Sequence, residues 1–438
     1  MTVAGARPAD RRAQGLQAGV ELMLSGRCNL ACAYCYQDRR RVRRSIRWES
    51  VRAALDAALS RGFDAFWVEF SGGEPLLEPD LMRRAVAYLE GHRGPCEVSY
   101  ALTTNGTLLT RELLDFLVEH DFMIRLSFDG VAAAQDLRSS GTFAILDRLL
   151  DLLRRDHPAY LRDNVTVGMT LLASTTSHLA EGVRYLISKG VADIGLAPLA
   201  GWELEWHAAT RAELQEQVDE VLQLSLDHWR RTGLVPVQFL SGAPVRDSRG
   251  PVSDLMCGAV DGRAMVVDPD GQAWACPVFA ASVRSLPPLG AEASRAFALG
   301  DVSAPALVRR LRGLPAKARA LGIFTNKRGK RSSYGACARC RFVADCHVCP
   351  ASICHIPGNR DPDLIPDFQC AFNQVTLEAR QRFDEMTEGR ASAAWYADVR
   401  TALHELGEAI KASSGRPTSA HTGRARQPSR EGRNRRTT

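Results

Sequence analysis

Short apolar runs alternate with longer amphipathic stretches from Gly19 to about Leu199. The runs are Val20 to Leu24, Ala65 to Phe70, Val98 to Leu102, Met123 to Phe128, Val165 to Leu172 and Ala192 to Leu196, and a polar or glycine-rich turn separates each run from the amphipathic stretch after it. Between the runs, Glu49 to Ser60, Pro79 to Glu90, Arg111 to Glu119, Phe143 to Arg154 and His178 to Lys189 carry apolar residues three and four apart, the spacing of one helix face. Six strands and five helices are expected. Their alternation predicts an α/β fold of parallel strands covered by helices, either an open doubly wound sheet or a full or partial barrel. In all of these, function gathers at the C-terminal strand ends. Arg211 to Trp229 predicts one more helix, and Ser241 to Val252, rich in Gly, Pro and Arg, reads as a linker.

A second domain is expected to begin near Ser253. Up to Cys370 it is cysteine-rich and poor in periodic pattern, apart from a hairpin over Val266 to Trp274 around Asp270-Gly271, so metal rather than a large core is expected to organise it. A final helix is expected from about Gln374 to Ala412. The 438 residues leave room for two or three structural units, and 45% hydrophobic with 24% charged residues is ordinary for a globular protein. No run of eighteen uncharged apolar residues occurs, and Met1 to Gln14 is followed by no apolar stretch of signal-peptide type. Neither export nor a membrane is expected, and the cytoplasm is the expected location. The net charge of +6 is concentrated in Ser413 to Thr438, where seven arginines face the single acid Glu431. That tail reads as a solvated segment rather than a nucleic-acid arm.

Twelve cysteines in a chain expected in a reducing compartment point to metal ligation rather than disulfides. Three lie between positions 28 and 35, Cys96 stands alone as a small hydrophobe, and eight fall between Cys257 and Cys370. Cys28, Cys32 and Cys35 share one loop. Three thiolates leave one iron of a four-iron cluster open to another ligand, whereas structural zinc needs a fourth donor and the nearest histidine is His92.

This loop, with Tyr34 directly before the third cysteine, resembles the signature of the radical S-adenosylmethionine superfamily. Phe70-Ser71-Gly72-Gly73-Glu74-Pro75 is similar to that family's second-strand motif, which contacts the methionine amino group. Asn105-Gly106 and Ser127-Phe128-Asp129-Gly130 resemble its positions near the ribose and carboxylate, and Arg138 is similar to an arginine that binds the methionine carboxylate in related maturases. The resemblance implies a 4Fe-4S cluster whose open iron chelates S-adenosylmethionine, with Tyr34, Ser71, Gly72, Gly73, Glu74, Asn105, Ser127, Asp129 and Arg138 around the cofactor. It also implies the outline of the fold: a partial (β/α)6 TIM-type barrel, then a small cysteine-rich iron-sulfur domain and a C-terminal helix. The expected divisions are an extension over 1–18, a radical core over 19–240, an auxiliary domain over 253–375, a helix over 376–412 and a basic tail over 413–438.

The later thiols, Cys257, Cys276, Cys337, Cys340, Cys346, Cys349, Cys354 and Cys370, resemble the SPASM domain, which carries two auxiliary 4Fe-4S clusters in peptide-modifying radical enzymes. By resemblance one cluster takes Cys257, Cys276 and either Cys349 or Cys354, and the other takes Cys337, Cys340, Cys346 and Cys370; the spare thiol is free to complete the first. Three clusters and S-adenosylmethionine are thus the expected cofactors. Zinc on Cys337, Cys340, Cys346 and Cys349 is the competing reading. His347 and His355 are read as lying near ligands without ligating, and Trp202 and Trp206 as core or surface packing residues rather than the lining of a substrate channel.

Auxiliary clusters suit a net oxidation, so the expected reaction is the modification, by cross-linking, of a ribosomally made peptide. The implied partners are that precursor, a separate leader-binding protein, and a flavodoxin or ferredoxin donor, with neither membrane nor nucleic acid. A sulfatase-type maturase that forms formylglycine is the alternative, although that subfamily places an aspartate base after the cysteine matching Cys276 and Pro277 stands here. A small-molecule radical dehydrogenase and a zinc-dependent nucleic-acid-binding protein are the remaining alternatives.

Overall fold

The computed structural model describes residues 18–38, 43–199, 206–246, 252, 257–280 and 286–394. Trp202, the N-terminal extension, much of the linker and everything from 395 onward, the basic tail included, lie outside the described residues.

Each strand of the first half is followed by a helix. In chain order these are β1 (Ala18–Ser25), α1 (Trp48–Leu59), β2 (Ala65–Gly72), α2 (Pro79–His92), β3 (Glu97–Thr104), α3 (Arg111–Glu119), β4 (Met123–Ser127), α4 (Thr142–Asp156), α5 (Pro158–Asn164), β5 (Val165–Leu171), α6 (Leu179–Ser188), β6 (Ile194–Pro198) and α7 (Ala208–Thr232). The six strands lie side by side in sequence order, and every neighbouring pair is parallel. This is the α/β architecture of a partial TIM-type barrel. The period of two along β1 sorts its residues. Val20, Leu22 and Leu24 enter the large core with Val51, Leu55 and Phe70, while Gly19, Glu21 and Met23 point to the other face. Gly19 must be glycine, because a Cβ there would lie 1.9 Å from the Trp67 indole packed across it.

The sheet continues past β1. Strand β7 (Ala264–Val267) pairs parallel to β1 through Gly19–Leu22, then β8 (Gln272–Trp274) and β9 (Ala298–Asp301) extend the sheet antiparallel. β7 and β8 form the hairpin expected around Asp270-Gly271, and Gly271 sits at φ +76° in its turn.

The second half holds more regular structure than its sequence signals. Helices α8 (Pro288–Phe297), α9 (Leu307–Arg312) and α10 (Leu314–Leu321) occupy a stretch read as irregular. Their buried Leu289, Ala293, Phe297, Leu307, Leu311 and Leu314 pack with Phe279 and Phe324, whose rings lie 5.3 Å and 4.9 Å from that of Phe297. An apolar core therefore organises this region alongside any metal. These helices run only six to ten residues, too short to establish a period. After α11 (Pro350–His355) comes α12 (Asp367–Met386), which begins directly after Pro366, earlier than expected, and so carries Cys370 in its first turn. It packs along α7 and stops at Met386, where Glu388 and Gly389 take positive φ, so the expected single helix to Ala412 is interrupted.

Candidate active site

The polar motifs predicted at strand ends meet at the end of the barrel where β1 to β5 terminate. The cysteine loop leaves β1 and is clamped from the side by the turn after β2: Gly73 N–H donates to the Ser25 carbonyl at 2.7 Å and Glu74 N–H to that of Arg27 at 2.8 Å. The approach needs both glycines. Gly72 holds φ +130°, and a Cβ on it would lie 2.5 Å from the Ser25 oxygen; a Cβ on Gly73 would lie 2.1 Å from the Arg27 oxygen. Leu30 is buried and pins the loop to the core, and Ala33 N–H donates to Leu137 at 2.8 Å. Cys28, Cys32 and Cys35 are left half exposed in one loop.

Glu74 is fully buried. Its two oxygens accept from Leu76 N–H at 3.0 Å, the Thr104 hydroxyl at 2.7 Å and Asn105 N–H at 2.9 Å, so it ties the β2 turn to the end of β3. Burial raises its pKa against the pull of these donors. Asn105 in turn donates to Asn29 at 3.0 Å and reaches the Cys28 sulfur at 3.8 Å. Ser127 ends β4 opposite Gly168. Beyond it, Asp129 is buried and receives Arg138 through two bonds of 2.7 Å and 2.9 Å, with Thr170 N–H at 2.9 Å. Arg138, held charged by Asp129 despite its burial, lies 5.6 Å from the Tyr34 ring centre and close to Cys32. Arg138 is thus fixed by Asp129 and borders the space in front of the cysteine loop.

Two carboxylates in the lumen escaped the sequence reading. Glu21 on β1 pairs in register with Glu69 on β2; Ser71 donates to Glu21 at 2.6 Å and Thr103 to Glu69 at 2.6 Å. Burial and then the neighbouring Glu69 push the Glu21 carboxyl well above the carboxylate range, and Tyr36 and Cys276 face it. The signal was a single charge at an inward position of an otherwise apolar strand, where burial is costly unless the group has a task.

The eight later thiols sort into two quartets. Cys349 is an electrostatic neighbour of Cys257, Cys276 and Cys354, and Cys257 is one of Cys276. Burial pushes Cys257 up to about 11, Cys354 up to about 12 and Cys276 well above its ordinary value. Cys337, Cys340, Cys346 and Cys370 line a second space, a cavity of about 240 Å³ that also touches Lys327, Tyr334 and Gln374. Among the described residues no three His, Cys, Asp or Glu side chains converge on one point as ligands of a single ion do. Four thiols gathered around an open space with no single point of convergence suit a multinuclear cationic group that spans them. Cys349 falls in the first quartet, so the zinc set of Cys337, Cys340, Cys346 and Cys349 is not assembled.

The remaining expectations fall outside these spaces. Cys96 is half buried and donates to the Phe63 carbonyl at 3.2 Å. His347 is exposed and bonded to the Asp345 carbonyl, and His355, held neutral by burial, sits at the end of α11. Trp206 donates to the Tyr334 hydroxyl at 3.2 Å and packs on Phe368 with ring centres 4.4 Å apart.

Residues 22–182 match the family described as the Radical SAM superfamily. A GTP 3',8-cyclase of Synechococcus sp. (strain CC9902) is 30% identical over 290 residues, 59% of this chain and 78% of that enzyme. A serine-type anaerobic sulfatase-maturating enzyme of Klebsiella aerogenes is 29% identical over 266 residues, 57% of this chain and 64% of that one. Among solved structures, anSMEcpe with bound AdoMet superposes with a TM-score of 0.64 at 16% identity, over 90% of this chain and 98% of its own. Streptococcus suis SuiB bound to precursor peptide SuiA superposes with a TM-score of 0.51 at 14% identity, over 82% and 78%. No described helix is long and apolar enough to cross a membrane.

Proposed function

The chain belongs to the radical SAM superfamily, and on that premise we propose that it oxidises a ribosomally made peptide, using one S-adenosylmethionine-binding cluster and two auxiliary clusters. The observation that carries this reading is the sorting of eight thiols into two complete quartets, one of which places Cys276 against the lumen carboxylate Glu21. In the proposal Cys28, Cys32 and Cys35 hold the first 4Fe-4S cluster, Cys257, Cys276, Cys349 and Cys354 the second, and Cys337, Cys340, Cys346 and Cys370 the third. When bound, the first cluster and S-adenosylmethionine supply a 5'-deoxyadenosyl radical, which removes a hydrogen atom from substrate.

The chain's own residues position and exclude. Gly72 and Gly73 let the β2 turn press on the cysteine loop, Glu74 and Asn105 brace it, and Tyr34, Ser71, Ser127, Asp129 and Arg138 line the cofactor's side of the lumen. Glu21 is placed to take the proton that a net oxidation releases, since Pro277 offers no titratable group there. The barrel over 19–240 and the auxiliary region over 253–375 divide these tasks. A flavodoxin or ferredoxin donor and a separate leader-binding protein complete the proposal.

Formylglycine formation is the second reading, favoured by the likeness to the sulfatase-maturating enzymes and disfavoured by Pro277. Anaerobic reconstitution decides the cluster count: about twelve irons, falling to about eight in a Cys28, Cys32, Cys35 triple alanine variant with deoxyadenosine release lost, is the expected result. Incubation with a sulfatase-type Ser or Cys peptide, and separately with a precursor encoded beside this chain, separates the two substrates by mass. Oxidation of the sulfatase peptide alone would reject the cross-linking reading.

A further inference from the structure

Strand β4 carries one charge on its lumen face. Ile124, Leu126 and Phe128 enter the large core, so the alternate positions, Arg125 and Ser127, face inward. Parallel register sets Arg125 beside Thr103 on β3 and Thr166 on β5. Half-buried, it makes no ion pair, hydrogen bond or ring contact among the described residues. The acids beyond those two threonines are already served. Glu69 accepts from Thr103 at 2.6 Å, and the buried Asp193 accepts from Thr166 at 2.5 Å and from Gln238 at 3.0 Å and 3.2 Å. Arg138, the other guanidinium on this side of the barrel, is by contrast closed on Asp129. Open space adjoins Arg125. A Cβ on Gly168 would meet no atom nearer than the Arg125 Cγ at 3.6 Å, and Gly168 stands in register with Ser127, so the bare stretch of wall runs from Arg125 to the end of β4.

A guanidinium enclosed by protein without a partner is costly to keep, and an unanswered charge in a lumen marks a place for a ligand. Its planar fork of donors matches a carboxylate through two parallel bonds. Arg125 stands two residues before Ser127, ~7 Å deeper along the strand than the end that borders the cofactor's space. That depth suits substrate rather than cofactor. Glu21 and Glu69 face the same lumen from β1 and β2, with β3 between them and Arg125, so an anion on the Gly168 side is separated from both. We propose that Arg125 is a specificity-determining residue that binds a carboxylate of the substrate peptide, either an Asp or Glu side chain or the C-terminus, in the open space over Gly168. Anchored there, the peptide presents the residue beside that carboxylate to the cofactor's side of the lumen. This proposal rests on the peptide-substrate reading above.

Its test uses the reconstituted full chain and the precursor peptide encoded beside it, with kcat and KM read from product mass and S-adenosylmethionine affinity from calorimetry. Arg125→Gln is expected to raise the peptide KM about 10- to 100-fold, the worth of a charge-assisted pair. Iron content, S-adenosylmethionine affinity and deoxyadenosine release without peptide should stay at the wild-type level. Arg125→Lys keeps the charge without the fork and gives a smaller rise, which also serves if the glutamine variant folds poorly. Precursors with an amidated C-terminus, or with single Asp→Asn or Glu→Gln changes, separate the two sources of carboxylate. One of them should raise the wild-type KM by the same factor and add nothing in Arg125→Gln. An unchanged peptide KM in fully loaded Arg125→Gln, or a loss of S-adenosylmethionine affinity in its place, overturns the assignment of Arg125 and leaves the peptide reading standing. Wild type that cleaves S-adenosylmethionine but leaves the precursor unmodified overturns the peptide reading, and the assignment falls with it.

Discussion

Gly73→Ala is the smallest change expected to disable the site. A Cβ at position 73 would stand 2.1 Å from the Arg27 oxygen, where ordinary contact begins at 3.4 Å, so the turn after β2 and the cysteine loop must part by about 1.3 Å. Arg27 directly precedes Cys28, and the same movement loosens the bonds from Gly73 to Ser25 and from Glu74 to Arg27. Two weakened backbone bonds cost about 1–3 kcal/mol in total, well short of unfolding a chain with this core. A displacement near 1 Å at a reacting centre costs about 100-fold in rate. Deoxyadenosine release under dithionite should therefore fall at least about 100-fold, while circular dichroism and the auxiliary iron are retained. Gly91→Ala makes the same chemical change on exposed helix surface of α2 with open space around the new methyl, and should leave the rate unchanged while adding up to about 1 kcal/mol of stability. Wild-type deoxyadenosine release from Gly73→Ala with full iron would refute the argument that this contact sets the loop.

Other consequences are as direct. Arg138→Met strands the buried Asp129 carboxylate and should cost about 3–5 kcal/mol in urea unfolding; a cost below about 1 kcal/mol would mean the pair behaves as a solvated one. Glu21 stays protonated well above the ordinary carboxylate range, because it is buried and faces Glu69, and it accepts a proton only once ionised. Product formation should therefore climb as pH rises through neutrality, and Glu21→Gln should flatten that climb and lower product per deoxyadenosine; an unchanged ratio would remove Glu21 from the proton path. Cys354→Ser should lose about four irons and Cys96→Ala none, measured after anaerobic reconstitution; iron loss from Cys96→Ala would contradict the placement of that thiol.

The barrel was legible because its strands are long enough for runs of apolar residues to stand out, and each expected strand lies within three residues of the observed ends. The strand-end motifs were legible because glycines and cysteines are chemically conspicuous. Other features had no such voice. Glu74 reads in sequence as a site residue, yet both its oxygens are occupied by protein donors, a fact that depends on where β3 ends in space. Glu21 and Glu69 look like unrelated acids 48 positions apart until parallel register puts them side by side. Residues 288–321 hide their helices because each buries only a few apolar side chains over fewer than three turns. The neighbours of Cys349 were open for a similar reason: thiol spacing says how close cysteines are along the chain, and which thiols meet depends on how α11 and α12 fold back.

The pairing of β7 with β1 also governs how the protein is made. β1 leaves the ribosome first and gains β2 early, but its other edge waits for residues that lie about 240 positions later in the chain. At ordinary synthesis rates that edge stays bare for about 12 to 50 s, with Gly19–Leu22 offering unpaired amides to any passing strand. The nascent barrel is thus an adhesive intermediate until its last third emerges. Chaperone supply and translation speed, as much as iron supply, should set how much active protein a cell obtains.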